Sequence, residues 1–295
     1  MKRASMTLAL LLGACTQSGS STSAEGASEG TQAPQSPTPA ENTSATALES
    51  GLVDEGAFQK AHQLATELAP EPRGEMVEVD GTKAYLSLPE GEGPHPGLVV
   101  IHEWWGLNRN IRYWSDRLAA LGYAALAVDL YGGRVVTDPS EASTLMKNVK
   151  QEEANRIMKA ARRFLVEDER TRSPKTGSIG WCFGGGQSLQ LAIAEPELDA
   201  AVMYYGFPVT DTRVLKAIEA DLLAFFGGKD DFIPASQVQD FEKALEQADV
   251  DHEIRVYDSG THAFANPSNS RYDEALAEKA FEKTRSFLAG ALKGD

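Results

Sequence analysis

Cysteine is scarce in this chain: only Cys15 and Cys182 occur in 295 residues, so at most one disulfide is available. Basic residues are short as well, 28 Lys and Arg against 43 Asp and Glu, for a formal net charge of -15. That leaves no basic stripe to neutralise phosphates and argues against nucleic acid as a partner. The acidic surplus says little else, because acidic surfaces mostly serve solubility. "HEWWG" (102–106) lacks the second histidine of an HExxH site, and no Cys or His cluster has ligand spacing, so neither metal nor cofactor is expected. No internal repeat is visible. What is abundant is ordinary: 42% apolar and 24% charged residues, enough for a globular core.

The first cysteine belongs to a segment of its own. "MKRASMTLALLLGACTQ" has Lys2 and Arg3, an apolar run over 6–12 and small residues before Cys15, the layout of an export signal. The run is too short for a permanent membrane span. "LGAC" (Leu12, Gly13, Ala14, Cys15) resembles the bacterial lipobox, which implies that 1–14 is removed and Cys15 is lipidated. Acyl chains anchor at about 0.8 kcal/mol per buried CH₂. The expectation is an exported lipoprotein facing the periplasm or cell exterior. With Cys15 lipidated, Cys182 has no disulfide partner. Residues 15–50 are rich in Ser, Thr, Gly and Pro with little to bury, and read as a disordered tether. Such a coil reaches roughly 30 Å on average.

Residues 51–295 read as one domain. A helix is expected over about 54–69, then a hairpin in "EMVEVDGTKAYLSLPE" about Asp80-Gly81. "PGLVVIHE" (96–103) is a continuous apolar run of the kind that fills a central parallel strand. Ile111, Trp114, Leu118 and Leu121 lie at helical spacing, with Gly122 as the stop. Further strands are expected in "YAALAVDLYGG", "KTGSIGWC" (175–182), "LDAAVMYYG" (198–206), "DLLAFFGGKDD" (221–231) and "HEIRVYDSGTH". Helix is expected over 139–167 and 270–290. Strands alternating with helices predict an α/β fold: a mainly parallel sheet covered on both faces, with a leading antiparallel hairpin.

Chemistry in such sheets gathers at the carboxyl ends of the strands. Five segments end there on polar residues: His102 and Glu103, Asp129, Cys182, Asp230 and Asp231, and His262. The order nucleophile, acid, histidine is that of the α/β-hydrolase fold, and "GWCFG" (180–184) fits its G-x-nucleophile-x-G turn with cysteine in the serine's place. Residues 51–295 contain no intact G-x-S-x-G to compete. At a helix N-terminus the thiolate of Cys182 would be favoured over the thiol. The plainer alternative is a small buried residue between glycines.

"IHEWWGLNRNIR" (101–112), "DLYGG" (129–133), "GWCFGG" (180–185), "GGKDDFIP" (227–234) and "HAFAN" (262–266) together, in that order, resemble the dienelactone hydrolase (carboxymethylenebutenolidase) family. The resemblance runs from about 75 to 290. It implies Cys182 as nucleophile, His262 as base and Asp230 as acid, with Asp231 and His252 as the neighbours that would otherwise take those roles. It also implies an oxyanion hole from the N–H groups of Trp104 and Phe183. In the family the glutamate at Glu103 touches the resting thiol and moves aside for substrate. The implied reaction is hydrolysis of small esters or lactones, without cofactor, by a monomer whose partners are the substrate and, through Cys15, a membrane. Family members that bind dienelactone hold its carboxylate with two arginines; the corresponding positions carry Arg134, one residue late, and Asn266. Arg109, Arg112 or Arg271 would be the substitutes. Trp104, Trp105, Phe183 and Phe264 suggest an aromatic pocket suited equally to neutral esters or thioesters. The rival from another class is a binding lipoprotein that keeps the fold without catalysis.

Overall fold

The computed structural model describes residues 71–294; the signal segment, Cys15, the tether and the helix expected over 54–69 lie outside the described residues. β1 (Glu75–Val79) and β2 (Thr82–Ser87) form the expected hairpin, paired from Glu75 with Leu86 to Val79 with Thr82. Asp80 and Gly81 both take positive φ, 50° and 75°. A two-residue turn of that kind matches the twist of the strands it joins.

The parallel strands follow: β3 (Gly97–Ile101), β4 (Ala124–Val128), β5 (Thr176–Trp181), β6 (Ala200–Tyr204), β7 (Asp221–Gly227) and β8 (His252–Tyr257). Their order in one eight-stranded sheet is β1-β2-β4-β3-β5-β6-β7-β8, with β2 antiparallel to β4 and every later pair parallel. Alternation along each strand sends side chains to two separate cores. Val99 and Ile101 join one with Met158 and Leu165 of α3 (Gln151–Glu167) and Phe241 of α6 (Ala235–Ala248). Leu98 and Val100 join the other with Trp114 and Leu118 of α1 (Arg109–Ala120) and Phe281 and Leu288 of α7 (Glu274–Lys293). Burial on both faces is why β3 to β7 are largely apolar rather than alternating, while the edge strand β8 (HEIRVY) is only partly buried.

The single helical stretch expected over 139–167 is two helices, α2 (Pro139–Asn148) and α3. Val149 and Lys150 between them are extended, with ψ of 122° and 118°. Neither Gly nor Pro marks the break; Val149 turns inward there and packs on the first core. α4 (Phe183–Ala194) follows β5 directly, and the four-residue α5 (Thr212–Leu215) lies between β6 and β7.

Candidate active site

Cys182 sits between the end of β5 and the start of α4, with φ 54° and ψ -117°. For a residue with a Cβ that conformation costs of order 1–3 kcal/mol, and it persists only where the surroundings impose it. Here Cys182 N–H donates to Tyr204 O at 2.9 Å, and the Cys182 carbonyl accepts from Gly186 N–H at 3.2 Å. The turn is also compressed from both sides. A Cβ on Gly180 would lie 2.2 Å from the Gly184 carbonyl oxygen, and one on Gly184 would lie 2.3 Å from that of Ile101.

His262, in the loop after β8, directs Nε2 at Cys182 Sγ at 3.3 Å, while its Nδ1 lies 2.8 Å from Asp230 Oδ2. Asp230 sits on the turn after β7, where its Oδ1 accepts from Phe232 N–H at 2.8 Å and Ile233 N–H at 3.1 Å. Burial pushes this carboxyl up, but His262 and the two N–H groups outweigh it and hold Asp230 below the usual carboxylate range. Asp231 points outward, 78% exposed, 3.6 Å from Arg271. His252 bonds Val250 O at the start of β8 instead. Of each neighbouring pair, the geometry therefore brings Asp230 and His262 to the sulfur.

Resting charge differs from the sequence expectation. Burial, then the Glu103 and Asp230 carboxylates, push the Cys182 thiol up to about 12, and only the Phe183 N–H pulls the other way. The helix N-terminus is outweighed, so the half-buried sulfur is a thiol at rest. Glu103, buried at the end of β3, is itself raised to about 7 by loss of solvent. Besides acting on the thiol through its charge, Glu103 has a side-chain partner of its own. Its Oε2 accepts from Asn266 Nδ2 at 2.5 Å, and Asn266 Oδ1 accepts from Ser268 N–H at 2.9 Å.

A model of the Dienelactone hydrolase family matches residues 82–292. The chain belongs to the dienelactone hydrolase family. Protein usf of Aquifex pyrophilus is 35% identical over 227 residues, 73% of this chain and 97% of that protein. An Aquifex aeolicus relative, provisionally named a carboxymethylenebutenolidase, is 33% identical over 232 residues, 75% of this chain and 100% of its own. The crystal structure of a provisionally assigned dienelactone hydrolase from Klebsiella pneumoniae superposes with a TM-score of 0.68 at 26% identity, covering 73% of this chain and 97% of that one. With these neighbours and the sheet described above, the fold is the α/β-hydrolase fold.

The other positions singled out in the sequence have these surroundings. Arg134 is exposed and paired with Glu141. Asn266 is buried and committed to Glu103. Phe264 is wholly buried, edge-on to Tyr205 and Tyr257, and so belongs to the core rather than a pocket. Trp104 and Trp105 are half-buried with rings 4.7 Å apart, and neither the Trp104 nor the Phe183 N–H donates to a backbone carbonyl among the described residues. Arg109 pairs with Glu71 at 2.7 Å. Arg271 pairs with Asp231 and stands 5.7 Å over the Phe232 ring. Phe232 in turn meets His262 edge-on at 5.0 Å, and Tyr205 meets it at 5.3 Å from another side. Sequence reasoning missed both rings; "DDFIP" and "MYYG" contain them at strand ends, the only signal there was.

His102 and Asp129, the remaining strand-end polar residues, hold the backbone. His102 Nε2 accepts from Leu130 N–H at 3.1 Å, which leaves Nδ1–H to donate to the Glu103 carbonyl at 2.6 Å. Asp129 accepts from the N–H groups of Tyr131 and Gly133. Among the described residues no group of three or more His, Cys, Asp or Glu side chains is placed to hold a metal ion. The one G-x-S-x-G in the chain, "GASEG" at 26–30, lies outside the described residues.

Proposed function

We propose that the protein hydrolyses small esters or lactones through an acyl-enzyme on Cys182. Its family already makes it a hydrolase of such bonds; the observation that supports the thiol route is the unbroken line from Cys182 Sγ through His262 to Asp230, 3.3 and 2.8 Å. His262 Nε2 takes the thiol proton as the sulfur attacks the carbonyl carbon, leaving an imidazolium whose Nδ1–H is held by Asp230. The N–H groups of Phe183 and Trp104 receive the oxyanion. Collapse expels the alkoxide, which takes the proton from His262, and a thioester remains. Water then gives its proton to His262 and attacks the thioester. The acid leaves and the thiol is restored.

Glu103 keeps the resting sulfur protonated by adding a second negative charge to a buried site, and its displacement by substrate would release the thiolate. An oxidisable thiol benefits from staying neutral until substrate is present. Neutral esters or thioesters suit the site better than a carboxylate-bearing lactone, because Asn266 and Arg134 are engaged with Glu103 and Glu141. We also propose that the enzyme is exported and anchored through Cys15; Cys15→Ser should move it from the membrane to the soluble fraction, and persistence on membranes would remove the anchor.

Turnover of p-nitrophenyl acetate tests the reaction. Hydrolysis by the wild type with none in Cys182→Ala is expected; no hydrolysis, or hydrolysis indifferent to Cys182→Ala, favours the non-catalytic binding reading. A panel of lactones, acyl esters and thioesters then ranks substrates.

A further inference from the structure

The hairpin, α1 with Leu107 just before it, and the loop after β4 line a groove of about 400 Å³, within the usual range for small-ligand sites. None of Cys182, His262 or Asp230 lines it. At one wall stands Arg112, half-buried on α1. One turn earlier on the same helix Arg109 has its carboxylate, Glu71. Arg112 has no carboxylate within ion-pair distance among the described residues; its contact is the Tyr85 ring at 5.7 Å, and its buried Nε has no hydrogen-bond partner. In a chain of net charge -15 a partly buried guanidinium left without an anion is anomalous, since burying an unpaired charge is unfavourable.

The rest of the lining fits an anion with an apolar body. Lys83 faces the same groove from β2, also without an ion pair among the described residues. Of the lining acids, Glu78 is opposite Lys83 in the hairpin register, and Asp129 is held by the N–H groups of Tyr131 and Gly133. Met76, Leu107 and Val135 supply apolar surface, Met76 and Val135 with 43% and 51% of their own exposed.

We propose that this groove binds a small amphipathic carboxylate, its carboxylate on Arg112 and Lys83 and its apolar part on Met76, Leu107 and Val135. A planar guanidinium takes a carboxylate in two parallel hydrogen bonds, so Arg112 supplies orientation as well as charge. The site goes beyond ester hydrolysis and stands whether or not Cys182 is the nucleophile.

Calorimetric titration of the full chain with octanoate, and with octanamide as the uncharged counterpart, tests it. Octanoate should bind and octanamide should not. Arg112→Gln should weaken octanoate about tenfold or more, the loss of one charge-assisted pair. Lys83→Gln, on an exposed strand position that folding tolerates, should weaken it by about threefold. The Arg112 Nε–H signal in a ¹H–¹⁵N spectrum should shift with octanoate alone. No binding of octanoate, equal binding of octanamide, or binding that Arg112→Gln and Lys83→Gln both leave intact overturns the proposal.

Discussion

Asp116 beneath the hairpin and Glu103 at the end of β3 are both buried acids, 1% and 7% exposed, and they are held in opposite ways. Asp116 accepts from Tyr85 Oη at 2.8 Å, Ser87 Oγ at 2.7 Å and Arg73 N–H at 2.9 Å. Burial still raises its carboxyl, but three donors pull it back, and each would be orphaned without it. Glu103 has one side-chain donor, Asn266, and burial lifts it to about 7. A saturated acid is a fastening. An acid with one donor changes charge near neutral pH, and Glu103 does so beside the sulfur whose proton it helps to hold. Asp230 is a third case, with two backbone donors and an imidazole, and it is pulled below the usual range instead.

Breaking the reactive side should have the largest effect. Asp230→Asn keeps the shape but presents the wrong partner to His262 Nδ1, and turnover should fall about 10³–10⁴-fold with little change in melting temperature. On the hairpin side the reverse is expected. Asp116→Ala leaves the Tyr85 and Ser87 hydroxyls and the Arg73 N–H unpaired, at a loss of about 3 kcal/mol in denaturant unfolding, while turnover per folded molecule stays near wild type.

The comparison sharpens with pH. Because the folded-state Glu103 carboxyl is raised from 4.5 to about 7, its contribution to stability is fully present below about pH 4.5 and is lost as pH rises through 7. The whole effect is about 3 kcal/mol. Glu103→Gln should remove that slope from unfolding curves measured between pH 4.5 and 8, and the same variant should be alkylated faster by iodoacetamide than wild type. A slope and an alkylation rate both unchanged in Glu103→Gln would reduce Glu103 to a fastening like Asp116. Smallest of all, Asp231→Asn removes an exposed charge, and turnover should stay within about twofold.

Much of this was legible in the chain. Continuous apolar runs fixed by burial on both faces marked β3 to β7, the edge strand β8 showed as an alternating run, and Asp80-Gly81 marked the hairpin. Cys182, Asp230 and His262 each stand in a local pattern, a glycine-flanked turn, an acid before a proline, a histidine past the last strand, so their chemistry was visible before their proximity. The break at Val149 was not legible, because a packing preference of one valine leaves no Gly or Pro behind. That Arg134 pairs with Glu141, seven residues on, was likewise not legible, because exposed charges along a loop and the next helix have many possible partners.

Sequence alone determined the alternation that forces a parallel sheet, the glycines that permit a compressed elbow, and the order of the reacting groups, since each depends on spacing within one segment. Tertiary structure decided the rest. Which acid meets His262, Asp230 or Asp231, depends on a turn that sends one inward and the other to solvent. That Asn266 holds Glu103, 163 residues away, and that Arg112 faces a groove without a counter-ion, depends on which loops the sheet order brings side by side. Those contacts set the charge of the buried groups, because the solvation and partners of an ionisable side chain are properties of its surroundings and not of its place in the chain.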